Sequence, residues 1–150
     1  MNTGDRAPDF TATDQTGSER RLSHMLAHGP VVLFFYPKAM TPGCTAESCH
    51  FRDLAEEFAA LGAQLVGISA DPVDRQRQFD EKHSLGYPLL SDPDRRIAKQ
   101  YGVKRPGPLF NKRETFVIGT DGTVLAAIGS EFNMNAHADT ALDTLRAAAA

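Results

Sequence analysis

Val31-Val32-Leu33-Phe34-Phe35-Tyr36-Pro37-Lys38-Ala39-Met40-Thr41-Pro42-Gly43-Cys44-Thr45-Ala46-Glu47-Ser48-Cys49 decides the fold of this chain. The continuous apolar run Val31 to Tyr36 reads as a strand covered on both faces. Pro42 to Leu61 reads as a helix, because Phe51, Leu54, Phe58 and Leu61 recur at spacings of three, four and three, and Gly62 ends it. Pro42 fits the first helical position, which makes Thr41 the N-cap and puts Cys44 in the first turn. Gln64 to Ala70 supplies a second buried strand, so the stretch opens a strand-helix-strand unit and an α/β fold.

Outward from this unit the signals continue in order. Asp9 to Thr13 and Ser18 to Leu22 flank the turn Asp14-Gln15-Thr16-Gly17 as an N-terminal hairpin, after which Ser23 caps a short helix to His28. Asp71-Pro72 reads as N-cap and first position of a polar helix to about Ser84. Pro88 to Ser91 is a short strand, and Asp92-Pro93 repeats the cap signal before a helix ending at Tyr101-Gly102. A loop, Lys104 to Lys112, holds Pro106, Gly107 and Pro108. Glu114 to Ile118 and Val124 to Gly129 form a hairpin around Thr120-Asp121-Gly122. A closing helix, Ala136 to Ala149, follows Asn135 as its cap. This order predicts a mixed central sheet flanked by helices. It fits a thioredoxin-like fold with an N-terminal β-hairpin extension and an insertion, as one domain over residues 1–150.

Composition excludes several classes of function. At 150 residues the chain can bury roughly two-thirds of its unfolded surface. A net charge of -3 with both signs interspersed gives no reason to expect nucleic acid or an anionic membrane as partner. The longest apolar runs fall far below the ~20 residues that span a bilayer. No basic segment followed by an apolar one opens the chain, so no signal peptide is expected. Two cysteines are too few for a disulfide framework, and the expected compartment is the cytosol, where such a pair is more often redox-active than structural.

The chemistry concentrates at the head of the long helix. First-turn amides lack intrahelical acceptors, and Gly43 has no side chain to keep a ligand from them. With the Thr41 hydroxyl and the Cys44 thiol they form a pocket suited to an anion or an oxygen-rich electrophile. A thiol near the positive end of a helix is the more easily ionised. Ionisation alone contributes little, however. Lowering a thiol from pKa about 8.5 to about 6 raises the thiolate at pH 7 roughly thirtyfold. A Brønsted slope of about 0.4–0.5 takes back about tenfold of nucleophilicity. A fast thiol enzyme must therefore also stabilise the leaving group with fixed donors and a cation.

Pro37-x-x-x-Thr41-x-x-Cys44 resembles the active-site signature of the peroxiredoxins, thiol peroxidases on a thioredoxin-like fold. The longer stretch Phe35-Tyr36-Pro37-Lys38 to Thr41-Pro42-Gly43-Cys44-Thr45, with Cys49 and Phe51-Arg52-Asp53, is similar to the bacterioferritin-comigratory, or type Q, branch. Gly4-Asp5-x-Ala7-Pro8-Asp9-Phe10, Gly67-Ile68-Ser69-x-Asp71, Pro88-Leu89-Leu90-Ser91-Asp92 and Arg113-x-Thr115-Phe116-Val117-Ile118 extend the likeness over nearly the whole chain. The resemblance implies that Cys44 is the peroxidatic cysteine, Thr41 orients the peroxide, Pro37 shields the thiolate, and Arg113 reaches back to both sulfur and peroxide. It implies that Glu47 organises the arginine, with a plain surface glutamate as the competing reading. Cys49 matches the resolving cysteine of the branch, with an inert thiol and an external resolver as the alternative. Five residues along a regular helix separate two Cα atoms by roughly 8–9 Å. A disulfide needs about 4.4–6.8 Å, so this role requires the first turns to unwind.

The resemblance further implies a hydroperoxide substrate, a thioredoxin or similar dithiol reductant, a monomer with weak dimers in the wider family, and no metal, flavin or haem. Two departures are visible. Gly119 follows Ile118 where the family commonly has aspartate, and the chain has no tryptophan, which separates it from the glutathione peroxidases. His24, His28, His50, His83 and His137 have no ligand-like spacing and read as surface residues. A general dithiol-disulfide oxidoreductase would use Cys-x-x-Cys, whereas four residues separate this pair. A thiol redox sensor or a holdase would be oxidised slowly and stoichiometrically.

Overall fold

In the computed structural model, which describes residues 1–149, alternate residues of one strand feed two separate cores. Val31, Leu33 and Phe35 enter one cluster, and Val32, Phe34 and Tyr36 enter the other. This is the period-two consequence of a strand covered on both sides. That strand, β3 (Val31–Phe35), is preceded by β1 (Thr11–Thr13), β2 (Glu19–Arg21) and α1 (Leu22–Leu26). After it come α2 (Pro42–Asp53), α3 (Ala55–Ala60), β4 (Gln64–Ser69), α4 (Val73–His83) and β5 (Leu89–Ser91). The chain closes with α5 (Arg96–Gln100), β6 (Glu114–Ile118), β7 (Val124–Gly129) and α6 (Met134–Ala149).

The seven strands form one sheet in the order β2-β1-β5-β4-β3-β6-β7. β3, β4 and β5 run parallel, with Val31 opposite Gln64 and Gly67 opposite Leu89. The N-terminal hairpin adds antiparallel to β5 through Thr13 and Ser91, and β6 adds antiparallel to β3. Leu22 and Met25 of α1 with Ile97 and Ala98 of α5 cover one face. Phe51, Phe58, Phe79, Ala138, Ala141 and Leu142, from α2, α3, α4 and α6, cover the other. The sheet is thus the mixed, helix-flanked arrangement expected from the sequence.

Several local expectations need correction. The long helix is two helices, interrupted at Leu54 (φ -97°, ψ 6°), whose N–H is shared between the carbonyls of His50 and Phe51. Across the break Phe51 and Phe58 both stay fully buried, which the core requires. Ser23 lies inside α1, where its N–H and hydroxyl donate to Asp9, so the capping carboxylate comes from the hairpin. Asn133, two residues before Asn135, caps α6 by accepting from the Ala136 N–H. Asp92 does act near its helix, accepting from the amides of Ile97 and Ala98.

Gly29 shows how closely the connections pack. Its φ is +150°, and a Cβ there would stand 2.0 Å from the carbonyl oxygen of Gly62. Neither partner is a side chain that can swing aside. Gly29→Ala is therefore expected to cost at least about 2 kcal/mol, read as a lowered denaturant midpoint. An unchanged midpoint would show that the two backbones separate freely.

Candidate active site

The loop from Pro37 to Thr41 is fixed from below by a chain of buried hydrogen bonds. The Ala39 N–H donates to Asp71 Oδ2 (2.8 Å), which also accepts from the Ser69 hydroxyl (2.6 Å). Gln76 Nε2 donates to that hydroxyl and to the Leu90 carbonyl, and the Tyr36 hydroxyl donates to Gln76 Oε1. Asp71 is therefore not the N-cap of α4. Pro72 stands in the cap position, because the Asp71 carboxylate is committed to the loop. Met40 adopts a left-handed conformation (φ 72°), rare for a residue with a Cβ, and turns the chain into Thr41. Thr41 is extended (φ -84°, ψ 153°) at the N-cap of α2, as its sequence predicts. Its hydroxyl, however, donates to the Lys38 carbonyl at 2.7 Å rather than capping the helix.

Cys44 consequently sits in the first turn of α2 and is completely buried. Glu47, one turn on, faces the same way and is equally buried, so the surface reading of this glutamate fails. Antiparallel pairing sets Glu114 opposite Phe35, which delivers Arg113 to the end of β3 and the head of α2. Arg113 Nη2 lies 3.3 Å from Cys44 Sγ and Nη1 lies 2.9 Å from Glu47 Oε1. The Arg113 backbone N–H donates to Glu131 Oε1 (3.0 Å), which also accepts from Arg105 (2.8 Å) and so joins two loops behind the arginine.

Burial opposes the charge on Arg113, yet Glu47 and Cys44 hold its pKa above the ordinary arginine value. Burial pushes Glu47 up to about 8 despite the pull of Arg113.

Access to the sulfur is narrow. A Cβ on Gly43 would come within 3.2 Å of Arg113 Nη2 and 3.6 Å of Met134 Sδ, so this glycine leaves the room a small ligand needs beside the guanidinium. The cleft of about 380 Å³ lined by Arg6, Asp9, Ser23 and Asp121 holds none of these residues.

The structure brings together Cys44, Glu47 and Arg113 directly, with Thr41 and half-buried Pro37 in the loop beside them. It does not bring Cys49 to Cys44. Both are free thiols on an uninterrupted α2, and Cys49 is half-buried. Four contributors escaped the sequence reading: Asp71 under the loop, Glu131 behind Arg113, Met134 beside Gly43, and His137. The surface reading of His137 is wrong. It is fully buried, because α6 packs that face onto α2 and β6. Asp71 closes the motif Gly67-Ile68-Ser69-x-Asp71, but its place ahead of Pro72 carries the same local signal as a helix cap.

Comparison with known proteins agrees with this geometry. Residues 3–127 match the model of the AhpC/TSA family. The chain is 41% identical to the chloroplastic peroxiredoxin Q of Arabidopsis thaliana, over 99% of this chain and 68% of that protein. The crystal structure of the peroxidoxin BcpB from Mycobacterium tuberculosis superposes with a TM-score of 0.95 at 60% identity, covering 98% of this chain and 97% of the other. The bacterioferritin comigratory protein of Xanthomonas campestris, whose structures concern alkyl peroxide reduction, gives 0.87 at 31% identity over 94% and 92% of the two chains. A buried thiol at a helix head, an arginine on its sulfur and these likenesses along the whole chain lead to one conclusion: the protein belongs to the AhpC/TSA family, as a peroxiredoxin of the Q, or bacterioferritin-comigratory, branch.

Proposed function

We propose that the protein reduces hydrogen peroxide and organic hydroperoxides through Cys44, with Cys49 as resolving cysteine and a dithiol protein such as thioredoxin as reductant. The observation that carries this reading is the Arg113 guanidinium 3.3 Å from the Cys44 sulfur. The Cys44 thiolate attacks one peroxide oxygen; the S–O bond forms as the O–O bond breaks, and the electron pair leaves with the second oxygen. That oxygen takes a proton and departs as alcohol or water. Arg113 and the unpaired amides of the first helical turn bear on the charge that develops there. The Thr41 proton is occupied by the Lys38 carbonyl, so its oxygen is left to accept the peroxide O–H. Glu47 steadies Arg113, and Pro37 keeps water from the sulfur.

Resolution follows when the Cys49 sulfur attacks the Cys44 sulfenic acid, forming the S–S bond and expelling water. On the regular α2 the two Cα atoms stand roughly 8–9 Å apart, so this step unwinds the helix. Opposing it are two contacts on this stretch of α2, the stack of Phe51 on Phe34 (4.2 Å between centroids) and the hydrogen bond from the Tyr87 hydroxyl to the Ser48 carbonyl (2.7 Å).

The chain has no tryptophan to report oxidation, so rapid-quench mass spectrometry is the suitable test. Reduced protein mixed with one equivalent of hydrogen peroxide should pass through a sulfenic acid on Cys44 to a Cys44–Cys49 disulfide. Cys49→Ser should keep the first step within about twofold, lose thioredoxin-linked turnover, and carry Cys44 on to the sulfinic acid. Undiminished turnover in that variant would remove Cys49 from the cycle.

A further inference from the structure

The loop between β3 and α2 is held in an unfavourable shape by groups that lie outside the reacting centre. Parallel pairing sets Phe35 opposite Ile68, and the Tyr36 N–H continues the ladder to the Ile68 carbonyl (3.1 Å). The segments leaving the ends of β3 and β4 therefore run side by side, which brings Ala39 to Asp71. Asp71 Oδ2 accepts from the Ala39 N–H at 2.8 Å and from the Ser69 hydroxyl at 2.6 Å. The Ser69 oxygen in turn accepts from Nε2 of Gln76 on α4 (3.0 Å), which also donates to the Leu90 carbonyl (2.8 Å). Ala39, Ser69, Asp71 and Gln76 are all buried. Without its carboxylate acceptor the Ala39 amide would be left unpaired in the interior.

Two residues on, the chain is fixed again. The Thr41 carbonyl accepts from the Thr45 N–H (2.9 Å), the first bond of α2, and the Thr41 hydroxyl donates to the Lys38 carbonyl (2.7 Å). Met40 alone joins these two anchors, and it does so at a φ of 72°. A residue with a Cβ keeps that conformation only where its neighbours over-determine it. Release of Ala39 would let Met40 relax toward an ordinary φ and swing Thr41 with it. We propose that Asp71 is a positioning residue for the peroxide step: through the Ala39 amide it holds the Met40 turn, and so fixes the Thr41 oxygen relative to the Cys44 sulfur. This deepens the peroxidase reading and rests on it.

Amide hydrogen exchange of the reduced protein, followed residue by residue by NMR, tests the clamp without peroxide. The Ala39 amide should be protected in the unmodified protein. Asp71→Ala should speed its exchange by at least about tenfold. Asp71→Asn keeps an acceptor oxygen of the same reach and should speed it less. The rate of Cys44 oxidation should follow the same order, about 10- to 100-fold slower with alanine and about threefold slower with asparagine.

Thr41→Val separates positioning from a general loosening. Asp71→Ala should slow the Thr41→Val protein by less than about twofold, because the oxygen that Asp71 places is already gone. A merely structural contribution would slow both backgrounds by the same factor, and that result overturns the proposal. So does an Ala39 amide that exchanges in the unmodified protein like an unprotected one, a result that needs no variant and holds even where Asp71→Ala fails to fold. Asp71-dependent protection of Ala39 in a protein inert to peroxide would overturn the peroxidase reading and leave the clamp standing.

Discussion

Cys44→Ser is expected to abolish peroxide reduction, with the rate falling about 10⁴-fold or more to the uncatalysed level. A hydroxyl in the same place keeps the contact with Arg113 and the room beside Gly43, yet it is scarcely ionised at neutral pH and its oxygen is a poor nucleophile toward an O–O bond. The substitution changes one atom in a fully buried side chain, so the fold should persist. Its retention is checked by circular dichroism alongside the peroxide assay. Two controls make the loss specific: Cys49 remains free in this variant, and adding thioredoxin should restore nothing. Substantial peroxide consumption by Cys44→Ser would move the reaction to Cys49 or out of this site.

Arg113→Lys should be the next most damaging change, slowing Cys44 oxidation by about 10²- to 10³-fold. Lysine retains a charge, so the loss isolates geometry. The guanidinium holds Glu47 at 2.9 Å with one nitrogen while another holds the sulfur at 3.3 Å, and a single ammonium cannot occupy both places. Arg113→Met removes the charge as well and should be slower still, and the interval between the two variants separates placement from charge. The Arg113 amide still reaches Glu131 in both, so the loop should stay anchored. A lysine variant within threefold of the unmodified rate would mean that charge near the sulfur suffices and that the fork is incidental.

The sheet was legible because its strands are either continuously apolar or bounded by turn residues. Val31 to Tyr36 and Glu114 to Ile118 could hardly fit elsewhere. The head of α2 was legible for a similar reason, since Pro42 and Gly43 restrict the backbone locally. What escaped was set by distant chain. Asp71 carries the same local signal as a helix cap, and only the position of Ala39 across the sheet end decides that it supports the loop instead. His137 looks like a surface residue in sequence, and only the family resemblance set Glu47 apart from one, because charge and spacing say nothing about the helix that will cover them. Their burial follows from the packing of α6 on α2, a contact no local pattern contains. Leu54 broke a periodicity that looked continuous, because a spacing of three, four and three fits one helix as well as two.

Arg113 meets Cys44 across 69 positions of sequence and Glu47 across 66. During synthesis, therefore, the thiol leaves the ribosome well before the cation that equips it, and β6 must dock against β3 before the two can meet. Until then Cys44 is an ordinary side chain on an unfinished helix. On the proposed mechanism, a copy in which β6 has not paired with β3 lacks the cation beside its thiol. On that mechanism reactivity is a late product of folding, and the rate of Cys44 oxidation doubles as a readout of how much of the population has paired β6 with β3.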